Sequence, residues 1–524
     1  MAAERARALI TVGLAAVATS VAVPPGVAAQ DAERGKIVYG SWCVECHGIE
    51  GRGDGSAASW MLPRPRDFVQ ALYQIRTTAN GQLPTDADLL RVLQFGMAGT
   101  AMPAWPNLSE TEREDVIAYI KTFSPFFEDT LPEPMDFGSD PGGGAAALGA
   151  GAEAYRNLEC WKCHGDAGRG DGQSAPTLED WRDLPIRAAD LTEPWAFNGG
   201  MGVEEIHKRF LTGLDGTPMP TYSDALESGI VTADDLWYLA HYVHSLSSGS
   251  APKVNELIAA RRVDDSLPGS LDDPVWDAVE PSYVPLVGQV IEAPRQLSPT
   301  VDGAWVRALH DGQELALLVT WNDPSESPDP AWDEWQARIA RTLPTDGRAA
   351  SLNRPMNDGF ALQFPPAVLE SMERPYFLMG DARKPVYLWH WDSDAGLSEM
   401  RARGLGELEP LGAGELTGTA AWDDGRWRLM IRRPLATEHA AVLAFQEGEA
   451  IPIGLFAWDG SSGEDASRGS ISGWYFIYLE EPRSASVYVI PLLAALATGI
   501  FGFAAAARAQ RRLEPAVEPA EQTA

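Results

Sequence analysis

Cys43-Val44-Glu45-Cys46-His47 and Cys160-Trp161-Lys162-Cys163-His164 are two copies of one pattern, C-x-x-C-H, and they use all four cysteines of the 524-residue chain. In an exported protein four cysteines ordinarily suggest disulfides, but this spacing is the one used for covalent c-type haem attachment. The two thiols add across the vinyl groups of a porphyrin, and the adjoining histidine is held under the iron as its proximal ligand. A zinc knuckle would want a second pair of ligands close by, and a thioredoxin-like dithiol needs no adjoining histidine. Cys43, Cys46, Cys160 and Cys163 are therefore expected to hold two haem c groups, with His47 and His164 as iron ligands.

The repetition extends outward from the cysteines. Gly51-Arg52-Gly53-Asp54-Gly55 returns as Gly168-Arg169-Gly170-Asp171-Gly172, and Gly99-Thr100-Ala101-Met102-Pro103 returns as Gly216-Thr217-Pro218-Met219-Pro220, each shifted by 117 residues, as Cys43 is from Cys160. In both copies the methionine follows the first cysteine by 59 residues. A soft thioether is the usual sixth ligand of a low-spin electron-transfer haem, so Met102 and Met219 are the expected distal ligands. Met61, Met97 and Met201 share neither the offset nor the context. His207, His241 and His244 read as surface or satisfied helix residues rather than ligands. The glycine loops lack the spaced acidic series of a calcium loop and read as loops at the haem edge.

Helices are expected on both sides of each copy. Asp31 to Trp42 and Ala147 to Glu159 lead into the cysteine motifs. Ser109 to Phe123 and Thr232 to Leu246 close the copies, with Ser109/Glu112 and Thr232/Asp235 in the form of capping boxes. With these parts in place, residues 31–125 and 148–248 each resemble a class I cytochrome c domain. The resemblance implies two crossing terminal helices packed over a haem.

From about Leu267 to Glu481 the texture changes to short alternating runs between turns, and ten of the 18 tryptophans lie between Trp305 and Trp474. Gly303 to His310 and Glu314 to Trp321, separated by Asp311-Gly312, read as a hairpin. Further strands are expected at Gly359 to Phe364, Val386 to Trp391, Thr417 to Trp422, Arg426 to Arg432, Ile451 to Ala457 and Ser472 to Leu479, which together suggest a β-sandwich. Asp273-Pro274-Val275-Trp276, Val306 to Gly312, Thr320-Trp321-Asn322-Asp323-Pro324, Pro375 to Gly380, Trp389-His390-Trp391-Asp392, Trp458-Asp459-Gly460 and Ile471 to Tyr475 carry a second resemblance. In that order they are similar to the haem-binding γ subunits of ethylbenzene dehydrogenase, dimethylsulfide dehydrogenase, chlorate reductase and selenate reductase. The resemblance implies a β-sandwich holding haem b between a methionine, matched by Met379, and a lysine. The lysine should fall just before Ile471, where this chain has Arg468 and Gly469. Arginine stays protonated and offers iron no lone pair. His390 or Lys384 could substitute, or the domain could dock a partner without haem.

Arg5 and Arg7, an apolar run from Ala8 to Val23 and Val27-Ala28-Ala29 have the order of a secretory signal peptide. Ser484 to Ala507 is 24 residues without a charge, enough to cross a bilayer, and Arg508, Arg511 and Arg512 then place the tail in the cytoplasm. The expected layout is a signal peptide at 1–29, cytochrome c domains at 30–127 and 151–250 around a linker at 128–150, a β-sandwich at 265–482, a transmembrane helix at 484–507 and a tail at 508–524. That is a multidomain chain of two all-α domains, one all-β domain and a single anchor on the periplasmic face of the membrane. A net charge of −33 argues against nucleic acid and suits a basic partner. The resemblance to the γ subunits implies a cytochrome subunit relaying electrons between a molybdenum-type oxidoreductase and the respiratory chain, with partner oxidoreductase subunits and/or a small soluble cytochrome as its partners. A dihaem peroxidase would need an open iron position, and a carbohydrate-binding module would need exposed tryptophans. No hydrolase triad, phosphate-binding loop or zinc-protease motif is present.

Overall fold

The structure, a computed structural model, describes residues 30–513 apart from 129–130, 248–249, 294, 343–355, 369–373, 413, 440–441 and 483–485. The expected signal peptide and residues 514–524 of the expected tail lie outside the described residues.

The first part is helical and built twice. Helix α1 (Ala32–Trp42) starts at Asp31, whose carboxylate accepts from the Glu33 and Arg34 amides. It runs into the one-turn helix α2 (Val44–His47) that carries the first cysteine motif. Helices α3 (Asp86–Phe95) and α4 (Glu110–Lys121) follow, capped by Thr85/Asp88 and Ser109/Glu112 boxes. The second copy has α5 (Ala145–Asn157), α6 (Trp161–His164), α7 (Val203–Thr212), the short α8 (Ser223–Glu227) and α9 (Ala233–Ser245), which starts at a Thr232/Asp235 box. In each copy the first and last helices cross at a glycine. A Cβ on Gly35 would overlap the Asp115 carbonyl of α4, and one on Gly151 would overlap the Tyr238 carbonyl of α9. Only bare backbone permits that approach.

The copies differ where loops absorb length. Helix α5 begins at Ala145, inside the stretch expected to be linker, and the linker itself is strapped down: the Met135 amide donates to Thr77 O at 2.8 Å. The 117-residue shift holds for the cysteine motif and for Met102/Met219, whereas α4 and α9 begin 123 residues apart, at Glu110 and Ala233. The six extra residues accommodate α8.

The second part is mostly sheet. Its strands are β1 (Leu257–Arg262), β2 (Ser282–Pro285), β3 (Val287–Gly288), β4 (Gly303–His310), β5 (Glu314–Asn322), β6 (Gly359–Phe364) and β7 (Val386–Asp392). They continue as β8 (Gly396–Ala402), β9 (Leu408–Pro410), β10 (Thr417–Asp423), β11 (Arg426–Pro434), β12 (Ala450–Trp458), β13 (Ser470–Ile471) and β14 (Tyr475–Leu479). The main order is β10-β11-β5-β4-β1-β14-β12-β6-β7-β8-β9. The Asp311-Gly312 hairpin is present, with Val306 opposite Val319 and Ala308 opposite Leu317. Strand β12 joins the two halves: its first residues pair with β14, and from Gly454 onward it pairs with β6. Side chains from β4, β5 and β11 share one core with those from β6, β7 and β12, centred on Trp321, Phe360, Trp389 and Leu429.

Strands β2, β3, β8, β9 and β13 have no counterpart among the expected strands, and three further features depart from the expected pattern. Strand β1 was not foreseen and pairs in parallel with both β4 and β14. The expected strand from Ser472 starts only at Tyr475, and Ser472 instead accepts the Leu455 amide on its hydroxyl at 2.8 Å. Helix α10 (Asp333–Thr342) interrupts the sheet region and packs Trp335 and Ile339 against Ala175 of the second helical copy. Beyond the sheet, α11 (Ser486–Leu513) is the one described helix long and apolar enough to cross a membrane, over Val489–Arg512.

Candidate haem sites

Each C-x-x-C-H segment is a turn of helix stopped by a glycine in the left-handed region, Gly48 at φ 79° and Gly165 at φ 79°. The following Gly-Arg-Gly-Asp-Gly loop folds back onto that turn through its backbone. The Gly53 amide donates to His47 O at 2.8 Å and Gly55 to Cys46 O at 3.2 Å. In the second copy Gly170 donates to His164 O at 2.9 Å and Gly172 to Cys163 O at 3.2 Å. A Cβ on Gly55 or Gly172 would collide with the carbonyl of Glu45 or Lys162, which explains the glycines. From the helix before, Tyr39 donates its hydroxyl to Gly48 O at 2.7 Å, and Tyr155 does so to Gly165 O at 2.6 Å. Sequence reasoning passed over both tyrosines.

The imidazoles are oriented alike. His47 Nδ1 lies 3.0 Å from Arg66 O, and His164 Nδ1 lies 2.9 Å from Ala189 O. A carbonyl only accepts, so the proton is on Nδ1 and the Nε2 lone pair is left free, the state a metal-bound histidine requires. Burial pushes the His47 imidazole down to about 4 and moves His164 in the same direction, which keeps both neutral. No disulfide joins the four cysteines, and burial pushes the Cys43 thiol up to about 12 and that of Cys160 up to about 11. A redox-active dithiol is poised the other way, toward thiolate.

The methionine loops are also built twice. The Met102 amide donates to Thr100 Oγ1 at 3.2 Å, and Thr100 Oγ1 donates to Met97 O at 2.7 Å. The Met219 amide donates to Thr217 Oγ1 at 3.2 Å, and Thr217 Oγ1 donates to Leu214 O at 2.8 Å. Gly96 at φ 71° and Gly213 at φ 64° start the two loops. Met102 and Cys43 belong to one apolar cluster, with Trp105 and Val44. Met219 and Cys160 belong to its counterpart, with Tyr222 and Phe210. In the second copy Cys160, Cys163, His164 and Met219 all line one cavity of about 850 Å3, within the size range of cofactor pockets.

These residues suit haem. Besides the attachment thiols and a neutral imidazole, each site has buried donors without a partner among the described residues. They are Tyr73 Oη and Trp105 Nε1 in the first copy, and Arg209 Nε and Nη1 on the cavity of the second. Buried donors left unpaired are rare and call for an acceptor, such as the carboxylate edge of a porphyrin. The three histidines set aside from the sequence are otherwise employed or peripheral. His207 stacks on Trp237 with centroids 3.7 Å apart, and His241 Nε2 meets Asp140 Oδ1 at 2.9 Å on the linker.

Met379 occupies a separate place in the sheet region. It is fully buried, at φ 58° beside Gly380 at φ 71°, in a cluster with Leu388, Phe456 and Ile471. A non-glycine residue there is strained and is held only by its surroundings. Lys384 is exposed, while His390 is partly buried on β7, two residues from Leu388 and thus on the same sheet face. His390 also packs against Trp458 with centroids 5.4 Å apart.

The family comparisons agree with this division. The Cytochrome c family matches residues 32–124 and 148–247, and the Ethylbenzene dehydrogenase family matches residues 273–405. The chain is thus a multidomain cytochrome, two cytochrome c domains followed by an ethylbenzene dehydrogenase-type domain, and cytochrome c domains carry covalently bound haem. Among curated proteins it is similar to dimethylsulfide dehydrogenase subunit gamma of Rhodovulum sulfidophilum, 27% identical over 44% of this chain and 85% of that one. It is also similar to chlorate reductase subunit gamma of Ideonella dechloratans, 27% identical over 27% of this chain and 56% of that one. Among solved structures, a chain of the Kuenenia stuttgartiensis reducing HAO-like protein complex is 42% identical, covering 42% of this chain and 98% of that one, with a TM-score of 0.40.

Proposed function

We propose that this chain is the electron-transfer cytochrome subunit of a respiratory oxidoreductase, anchored to the periplasmic face of the cytoplasmic membrane. The reading rests on one observation above the others. Both copies hold the imidazole that follows the cysteines by Nδ1, leaving Nε2 free, and both build the same threonine-braced loop around a methionine at a fixed offset. Cys43, Cys46 and His47 with Met102 hold one haem c, and Cys160, Cys163 and His164 with Met219 hold the other. The haem supplies one-electron exchange, and a sulfur ligand favours its reduced state. The chain's own contribution would be to fix His47, Met102, His164 and Met219 in place and to keep the two imidazoles neutral.

On this reading the chain divides into cytochrome c domains over 30–127 and 151–250 and a domain over 265–482 whose two sheet halves close as a β-sandwich. By analogy with the γ subunits that the chain resembles, the partner is a molybdenum-type oxidoreductase and electrons pass between it and the respiratory chain, directly or through a small soluble cytochrome. The helix over Val489–Arg512 is the anchor, with the arginine-rich end in the cytoplasm. A third haem, of b type, would sit at Met379, with His390 as the available second ligand in place of the family's lysine.

The alkaline pyridine haemochrome spectrum of the purified protein tests this directly. Two c-type haems per chain are expected, and a b-type component in addition identifies Met379 as a third site. Absence of a c-type band refutes the proposal.

A further inference from the structure

The second methionine loop is not held by its own domain alone. Arg76 comes from the first copy, is fully buried, and reaches across to the second. Its Nη2 donates to Thr212 O at 2.6 Å and to Asp215 Oδ1 at 2.8 Å. Thr212 is the last residue of α7, so the guanidinium caps that helix where its carbonyls lack intrahelical partners. Asp215 lies four residues before Met219 in the loop that Gly213 opens. The other Asp215 oxygen accepts from the Gly81 amide at 3.3 Å, so both of its oxygens are engaged by the first copy. Arg76 is itself anchored at home, Nη1 donating to Tyr73 O at 2.7 Å and Nε to Ala79 O at 3.2 Å.

Among the described residues, the loop that Arg76 grips has no ion pair with a side chain of the second copy. Within it, Leu214 donates to Met219 O at 3.2 Å and Met219 donates to Thr217 at 3.2 Å, and the second copy's own hold on its middle is a neutral bond, the Trp181 amide donating to Gly216 O at 3.1 Å. In the first copy the residue corresponding to Asp215 is Ala98, so the clamp is not a shared property of the repeat.

We infer that Arg76 of the first cytochrome domain is the positioning residue that sets the methionine ligand of the second domain's haem through Thr212 and Asp215. The inference rests on Met219 being that ligand. Its consequence is that the second haem reaches its working ligation only when the first domain is docked. A guanidinium fork suits this task, because its fixed donors hold a helix end and a carboxylate at once, which a lysine ammonium cannot match in geometry.

The test uses the full-length holoprotein, reading the methionine-to-ferric-iron charge-transfer absorption and the midpoint potentials, with Met219→Ala as the reference. Wild type should show two methionine-ligated haems and Met219→Ala one. Arg76→Ala and Asp215→Asn, both with two haems still attached, should lose the absorption of the same haem as Met219→Ala and lower its potential, leaving the Met102 haem unchanged. If Met219→Ala reduces the absorption while Asp215→Asn and Arg76→Ala do not, the positioning role is wrong and the ligand assignment stands. If Met219→Ala changes nothing, the assignment itself fails and the inference with it. Should Arg76→Ala not fold, the nearly isosteric Asp215→Asn decides alone.

Discussion

Tyr39 and Tyr155 sit in matching places, each donating a buried hydroxyl to the carbonyl of the glycine that ends a haem motif. Removing one donor leaves a buried carbonyl unsatisfied, which costs about 1–3 kcal/mol. Tyr39→Phe and Tyr155→Phe should each lower the unfolding free energy by that amount with haem retained, read as a lower denaturant midpoint at unchanged slope, and an unchanged midpoint would show the bonds to be dispensable. His207 makes a pH argument. Burial holds its imidazole down to about 4, against 6.5 when exposed. The unfolded chain therefore binds the extra proton between those values, and stability is complete above about 6.5 and falls as pH drops toward 4. The loss should be on the order of 1–3 kcal/mol. Melting curves at both ends of that window should show it in wild type and much less of it in His207→Phe, which keeps the stack on Trp237; equal losses in both would assign the effect elsewhere. At this level the chemistry-bearing residues were legible, because covalent attachment demands cysteines and histidine in a contiguous pattern. Tyr39, Arg76 and the carbonyls of Arg66 and Ala189 were not, because each matters only through a partner outside its own motif, one that the fold and not the local pattern brings to it.

Helices were legible where their ends carry local chemistry. The boxes at Ser109/Glu112 and Thr232/Asp235 form as read, and α4 and α9 begin one residue after them. Helices α3, α7, α8 and α10 escaped notice: α7 has only Gly202 at its start, without a side-chain cap, whereas the Thr85/Asp88 box of α3 carried the same signal and was passed over. Strand β1, with the sequence Leu-Ile-Ala-Ala-Arg-Arg, shows no alternation or flanking turn signal and becomes a strand because β4 and β14 leave it a slot between them. The helix crossings yield a sharp expectation. Gly35→Ala and Gly151→Ala put a methyl group into the facing helix backbone, and overpacking of this kind costs about 1–3 kcal/mol or more. Urea titrations followed by haem absorption should show both variants destabilised; tolerance of either would mean that the helices do not cross as closely as described.

Across the whole molecule, the helical repeats, the sheet and the apolar helix follow one another as the sequence texture indicated, while the contacts between them were invisible to it. Arg76 to Asp215, Arg187 to Asp459 at 2.9 Å, and the packing of Trp335 against Ala175 join segments more than a hundred residues apart. The anchor makes a separable prediction. A chain ending at Glu481 should stay in the aqueous fraction without detergent and keep its haems, whereas the full chain sediments with membranes. Membrane retention of the shortened chain would contradict a single C-terminal anchor. The most direct measurement is the intact mass of the purified protein under denaturing conditions, for wild type and for Cys43→Ala/Cys46→Ala. Thioether-bound haem predicts the polypeptide plus two haems for the first and plus one for the second. A wild-type mass equal to the bare polypeptide, with four thiols open to alkylation, would contradict the account.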